Sequence, residues 1–536
     1  MPASSDRTPR PGMVLEVDRS TPPIMFHHGE GFRLESLPAG RSRVLYPAEP
    51  LNPLDDPEGA IRDALLNPMD DDPLPSKLFA GMKLTIVFDD ISLPLPPMRR
   101  PDIRQRIIEQ VLDMAAAAGV DDVHIIAALA LHRRMTEDEL RHAVGDRVYD
   151  AFAPSGNLYN MDAEDPDEMV MLGETSEGEE VQMVRRAAES DLIVYVNINM
   201  VSMNGGWKST ATGLSGYTGI RHHHNVDTLA KSDLMDHTNS EFHNRNWRQG
   251  DVIRAAGVKI FQVETTINNN VFGTEGPMSV LQKREWEWTA RDRASFIAMQ
   301  KGLQVMTPKA RRRIFHGHQA PYGMTSVQAG EVEAVHDSAI ENMLKQQLVR
   351  IEGQADVLTM GLPYLSPYNV NSILNPILVM CLGLGYLFNM YLKQPLVRKG
   401  GVIIMSHPTP IEFHPVHHPS YIDFFEQVLP DTTDGHKIAH KYEKQFAEDE
   451  WYRHLYRTSY AYHGVHPLYM WYWGSNAIRH AGRIIIVGGD VKAVRRMGFT
   501  PATTLNDALE IASDVVGPQP TITHLHSPPM VMADVV

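Results

Sequence analysis

The feature that most constrains the fold is an alternation of short β-rich runs with helical segments. Residues 84–88 are a β-rich run that ends in Asp89-Asp90 and a proline-punctuated loop at 91–97. Residues 104–119 then carry apolar side chains at helical spacing. Residues 123–128 read as the next strand, and 136–144 as the next helix, opened by a Thr136/Glu139 capping box. Strand, loop and helix in repetition need crossover connections, and crossovers imply a parallel sheet. Ligands of such sheets gather at the carboxyl ends of the strands. Asp89, Asp90 and His132 each follow a strand, so they are expected on one edge.

A third unit starts at 191–196 and runs into a glycine loop. A helix at 252–257 and a strand at 258–265 follow, and 285–318 reads as charged and helical. Pro321-Tyr-Gly and Gly330 interrupt the pattern and place a boundary at 320–335. Beyond it, 356–360, 401–405 and 483–487 read as strands and 504–513 as a closing helix. The expected fold class is α/β: two α/β domains with mainly parallel sheets and an active-site cleft between them. At 536 residues the chain exceeds one ordinary core. The expected division is an irregular N-terminal extension at 1–80, a first domain at 81–330, a C-terminal α/β domain at 331–515 and a tail at 516–536.

Hydrophobic content of 43% and charged content of 22% are those of a globular protein. The net charge of −16 argues against a nucleic-acid partner. The single cysteine, Cys381, excludes an internal disulfide and a thiolate metal cluster, which suits a reducing cytoplasm. No secretion signal is visible at the N-terminus. Residues 373–392 have the length of a membrane span, but Asn375, Pro376 and Asn389 favour a buried helix. The expectation is a cytoplasmic protein with no membrane and no nucleic-acid partner.

The chemistry concentrates in residues 196–225. Gly205-Gly206-Trp207-Lys208-Ser209 lacks the glycine before lysine that a Walker A loop needs. A glycine loop entering a helix can hold a phosphate on its N–H groups, and the plain alternative is a tight turn with a surface lysine. His222, His223 and His224 cannot all ligate one ion, so one or two are ligands or the run is a solvated loop. His132 is either a general base or a core histidine. A second histidine-rich stretch, 406–421, holds His407, His414, His417 and His418 near Glu412. Its prolines at 408, 410, 415 and 419 exclude a regular helix, and a zinc site or a loop by the cleft are its two readings. Residues 456–473 are crowded with Tyr, His and Trp and line a pocket or fill a core.

The order of these motifs resembles the nickel-pincer-nucleotide lactate racemase family. The resemblance is carried by Asp89-Asp90-Ile-Ser-Leu-Pro, Leu-His132-Arg-Arg-Met-Thr-Glu, Gly205-Gly206-Trp-Lys208-Ser and His224-Asn225. It covers residues 80–280 well and 355–515 loosely. It implies a racemase or epimerase acting on a 2-hydroxy acid or sugar acid by hydride transfer. It also implies two cofactor components, nickel and pyridinium-3,5-bisthiocarboxylic acid mononucleotide. By that likeness Lys208 carries the cofactor through a thioamide, His224 ligates nickel and His132 is an acid/base. Asp89, Asp90, Gly205, Gly206 and Ser209 then surround the cofactor. The implied partner is a small hydroxy-acid or sugar-acid substrate, with homo-oligomerisation left open. The chain departs from the family at three places. Leu93 replaces an arginine that would meet the substrate carboxylate. The second acid/base histidine is missing from 197–200, and His407, His417 or His418 is the expected replacement from across the cleft. The family's Tyr-Gln-x-x-Lys segment has no match around residues 371–377. Two other readings stand beside this one: a cofactor-binding protein without turnover, and a zinc-dependent hydrolase built on the 406–421 histidines.

Overall fold

The computed structural model describes residues 13–536. Its first sheet has six strands, ordered Met324–Gly330, Ile260–Ile267, Leu192–Asn199, Lys83–Asp89, Asp122–Ala128, Leu158–Asn160. Neighbours run parallel except for the edge strand Met324–Gly330. Leu192–Asn199 is buried along its whole length, as expected of a strand covered on both faces. The chain enters at the centre with Lys83–Asp89, builds outward to one side, then returns to build the other. Lys83–Asp89 and Leu192–Asn199 flank that reversal, so a crevice opens beyond their carboxyl ends.

The second sheet is larger. Its main path runs Val14–Glu16, Ser42–Leu45, Ile522–Leu525, Ala355–Pro363, Val397–Ser406, Arg483–Val487, Thr500–Ala502. All pairs on this path are parallel but the first. Two expectations are corrected here. The lead-in is not irregular, because Val14–Glu16, Ile24–Gly29, Phe32–Glu35 and Ser42–Leu45 are strands. Residues 516–536 are not a separate tail, because Ile522–Leu525 pairs with both Ser42–Leu45 and Ala355–Pro363. Strands of three to six residues are too short to show periodicity, and two of them pair far along the chain, Ile24–Gly29 with Ala355–Pro363 and Ser42–Leu45 with Ile522–Leu525. Part of the lead-in, residues 1–12, lies outside the described residues.

The buried carboxylate of Glu285 fastens these distant segments. It accepts hydrogen bonds from the Met25 N–H at 3.0 Å and the Tyr46 hydroxyl at 2.5 Å, and it lies 2.9 Å from His526 Nε2. The apolar stretch after residue 373 is buried, as its asparagines and proline suggested. It is a broken helix: an α-turn Pro376–Met380, a π-turn Cys381–Tyr386 and a 3₁₀ turn Leu387–Asn389. The Asn389 amide donates to the carbonyls of Leu384 and Gly385, which the widened turn leaves free. No helix among the described residues is long and apolar enough to cross a membrane.

Phe26 tests whether the lead-in belongs to the second core. It is buried and stacks on His524 with ring centroids 3.9 Å apart. Phe26→Ala should cost about 3–5 kcal/mol in denaturant unfolding. A change below about 1 kcal/mol would mean that the lead-in strands contribute little to that core.

Candidate active site

Lys83–Asp89 ends in two buried carboxylates with different partners. Asp89 accepts from the Ile198 N–H at 2.8 Å and from the Asn197 amide at 3.1 Å, both on the neighbouring strand. Burial raises its pKa to about 6, against that backbone hydrogen bond and the charges of Lys208 and Arg104. Asp90 lies 2.7 Å from His132 Nδ1 and accepts from the Ser92 N–H and hydroxyl. Burial alone would raise Asp90, but His132 and Ser92 hold it below the usual carboxylate range. Arg104 fixes the strand end from below. It donates to the carbonyls of Asp89 and Asp90 at 2.7 and 2.8 Å, and its remaining donors are paired with Asp102. His132 arrives from the next strand through Ala130, whose φ of +51° turns the chain sharply after Asp122–Ala128.

The glycine loop sits beyond the end of Leu192–Asn199. Gly205 and Gly206 have φ of +91° and +56°. Their lack of a side chain serves an internal carboxylate: a Cβ on Gly205 would lie 2.6 Å from both Glu264 oxygens. Glu264 accepts the Gly206 N–H at 2.6 Å and the Gln262 amide at 2.9 Å, and lies 3.1 Å from His336 Nδ1. The two glycines therefore shape the loop and do not line the main cavity. Lys208 and Ser209 follow in the short helix Trp207–Ala211, and both face that cavity. The plain reading of Lys208 as a surface residue fails. The Lys208 ammonium makes no hydrogen bond among the described residues, and burial lowers its pKa against the pull of Asp89 and Asp90.

The three adjacent histidines separate cleanly. His222 pairs with Glu180 away from the cavity, at 3.3 Å. His223 is buried behind His224, their Nδ1 atoms 2.7 Å apart. His224 lines the cavity between Phe242, Tyr469 and Trp473. Its Nδ1 is taken by His223, so Nε2 is the ring nitrogen open to a ligand. Burial, followed by the neighbouring histidine and lysine, keeps this imidazole neutral, which is the ligating form.

Asp89, Asp90, His132, Lys208, Ser209 and His224 thus line one cavity of about 190 Å³. The second sheet closes it with residues that follow its own strand ends. Tyr364 and Tyr368 come after Ala355–Pro363, and Ser527 after Ile522–Leu525. Tyr386 comes from the broken helix, its hydroxyl 2.7 Å from that of Tyr368. Trp473 comes from the aromatic stretch, most of whose other rings are core.

The 406–421 loop is corrected on two counts. His407, His417 and His418 do not line the cavity. His407 Nδ1 accepts the Thr409 N–H, His417 lies 2.9 Å from the Ser372 hydroxyl, and His418 lies against Tyr421. Glu412 is paired with Arg312 instead of a histidine. Among the described residues no three His, Cys, Asp or Glu side chains converge on a point that could hold a metal ion, so the zinc-hydrolase reading loses its site. The sequence reading missed Arg104, Glu264 and the Tyr368/Tyr386 pair, none of which has a local motif.

The strand ends of the two sheets thus meet at one cavity lined by Lys208, His132, His224 and the aspartate pair. Residues 28–235 match the lactate racemase N-terminal domain. The structure of the lactate racemase apoprotein from Thermoanaerobacterium thermosaccharolyticum is similar over 95% of this chain and 99% of that one. Its TM-score is 0.62 at 17% identity, a likeness of fold. A protein from Thermotoga maritima aligns over 91% of this chain and 100% of its own, with a TM-score of 0.47 at 12% identity. No curated protein matches the sequence. The chain thus has a lactate racemase-like N-terminal domain and a lactate racemase-like mixed α/β fold.

The raised pKa of Asp89 gives a pH signature. Protonated Asp89 favours the folded chain below its ordinary value of 3.8, and this contribution is lost as the pH rises through about 6. Asp89→Asn cannot titrate, so its stability relative to the unsubstituted protein should improve between pH 5 and pH 7.5. Thermal unfolding at both pH values checks this, and an unchanged difference would contradict it.

Proposed function

We propose that the chain is a nickel-pincer-nucleotide-dependent racemase or epimerase that inverts a hydroxyl-bearing carbon. The observation that carries this reading is the meeting of Lys208, His224 and His132 in one cavity, each delivered by a different element. The residues fit the implied group. Lys208 is an unpaired buried amine, suited to a covalent thioamide link. His224 offers one neutral nitrogen, which is all a group with its own sulfur and carbon donors asks of the protein. Asp89 and Asp90 supply negative charge beside a pyridinium. When bound, the group supplies a reversible acceptor for a hydride.

The chain's own residues handle the proton. His132 Nδ1 is held by Asp90, so Nε2 is free to take the substrate hydroxyl proton and to return it. The Asp90 carboxylate stabilises the imidazolium formed in between. Burial keeps the Tyr368 and Tyr386 phenols protonated, and because one hydroxyl donates to the other, a single O–H of the pair is left to donate toward the substrate oxygen. That pair takes the place of the missing second histidine. Proton and hydride both return, so substrate and product are isomers and no outside oxidant is consumed. Apolar walls from Leu93, Val271, Phe272, Leu387 and Met390 exclude water during the step.

Intact mass and elemental analysis test the binding half of the proposal. Lys208→Ala should abolish the covalent adduct. His224→Ala should lose nickel while His222→Ala keeps it. An unmodified Lys208 in nickel-loaded, active protein would overturn the assignment. His132 tests the chemical half. His132→Ala should lose about 10²–10⁴-fold in turnover while retaining nickel and adduct. Near-normal turnover in that variant would make His132 a structural residue.

A further inference from the structure

The cavity has an unusual charge lining for an enzyme that handles acids. Among the described residues no arginine lines it, and Lys208 is its one ammonium. Two guanidiniums lie close behind the wall, but both are committed elsewhere. Arg104 is spent on Asp102 and the Asp89 and Asp90 carbonyls. Arg133 is held in a two-bond pair with Glu139 and donates to the Val370 carbonyl. Leu93, which replaces the family's arginine, faces the cavity as hydrocarbon. The fixed charges that remain, Asp89 and Asp90, are negative.

Neutral polar side chains also stand in the wall. The Tyr364 hydroxyl is buried in the wall without a partner, and so are the side-chain oxygens of Asn197 and Asn204. A phenol and two amides are suited to hydroxyl or carbonyl groups of a ligand. The remaining surface is mostly hydrocarbon, from Leu95, Met200, Phe272, Leu382 and Met390.

We infer that the substrate is an uncharged secondary alcohol with an apolar body and a second neutral oxygen, such as a vicinal diol or a hydroxyketone, and not a free hydroxy acid. The inference rests on the racemase reading for the reaction and on the cavity lining for the substrate. A carboxylate would enter a mostly apolar site beside two acids, and once the Lys208 amine is bound in a thioamide no cationic Lys or Arg side chain in the wall would meet it. An ion buried without a partner costs several kcal/mol, far more than a neutral oxygen that finds a donor. The alcohol keeps the reacting hydroxyl for His132 and places its second oxygen against Tyr364 or the asparagine amides.

A matched pair of probes tests this: 1-phenylethane-1,2-diol and mandelate, which share a phenyl group and a carbinol carbon. Calorimetric binding is measured on the cofactor-loaded protein and on Lys208→Met, where the charge is removed without the cofactor. The diol should bind both proteins at least ~100-fold more tightly than mandelate. Leu93→Arg should narrow that gap by restoring a guanidinium to the wall. Equal or tighter binding of mandelate, or no measurable binding of the diol, would overturn the inference. If no adduct forms on Lys208 the racemase reading falls by itself, while the preference is still read from Lys208→Met.

Discussion

The site depends on one buried carboxylate that is not part of the chemistry. Glu264 lies in the middle of Ile260–Ile267 and reaches across to the glycine loop, where it accepts the Gly206 N–H at 2.6 Å. Burial alone would raise its pKa, but His336, the Gly206 N–H and Gln262 hold it below the usual carboxylate range. Charge-assisted bonds of this kind are short, directional and strong. They pin the loop over the strand ends, and Lys208 in the next turn then points into the cavity. Gly205 and Gly206 follow from the same interaction, because any side chain there would collide with Glu264 or Trp247.

The other site residues are delivered by equally plain constraints. The chain leaves the paired strands Lys83–Asp89 and Leu192–Asn199 in opposite directions, and Asp89 and Asp90 lie at the crevice this opens. Arg104 ties down their carbonyls, so the two carboxylates keep separate tasks. Asp89 binds the neighbouring strand and Asp90 orients His132. The second sheet aims its own strand ends at the same space and contributes phenols and hydrocarbon instead of cations. The first half supplies the charged side chains of the cavity, and both halves supply its hydrocarbon walls.

Much of the first half was legible in the sequence, for physical reasons. Strands 84–88 and 123–128 are mostly apolar runs, each broken by one polar residue, because both sheet faces are covered, and the Thr136/Glu139 capping box is present as read. That Asp89, Asp90 and His132 would meet at one edge was legible from their places just after strands. The rest had no local signal. Glu264 reads as an ordinary polar residue in a β-run, and its role exists only once the loop folds over it. The lead-in strand Ser42–Leu45 pairs with residues almost five hundred positions away. The 406–421 histidines looked like a metal site by count alone, yet His407 accepts the Thr409 N–H and the His414 ring stacks on His417 instead of converging with it on an ion.

The central claim is that one imidazole from the chain meets a nickel ion that brings its remaining donors with it. Nickel K-edge absorption on the loaded protein tests it most directly. A first shell with two sulfur scatterers and a single imidazole nitrogen is expected, with the imidazole signal lost in His224→Ala. A shell of nitrogen and oxygen donors alone, built from several histidines, would contradict the account.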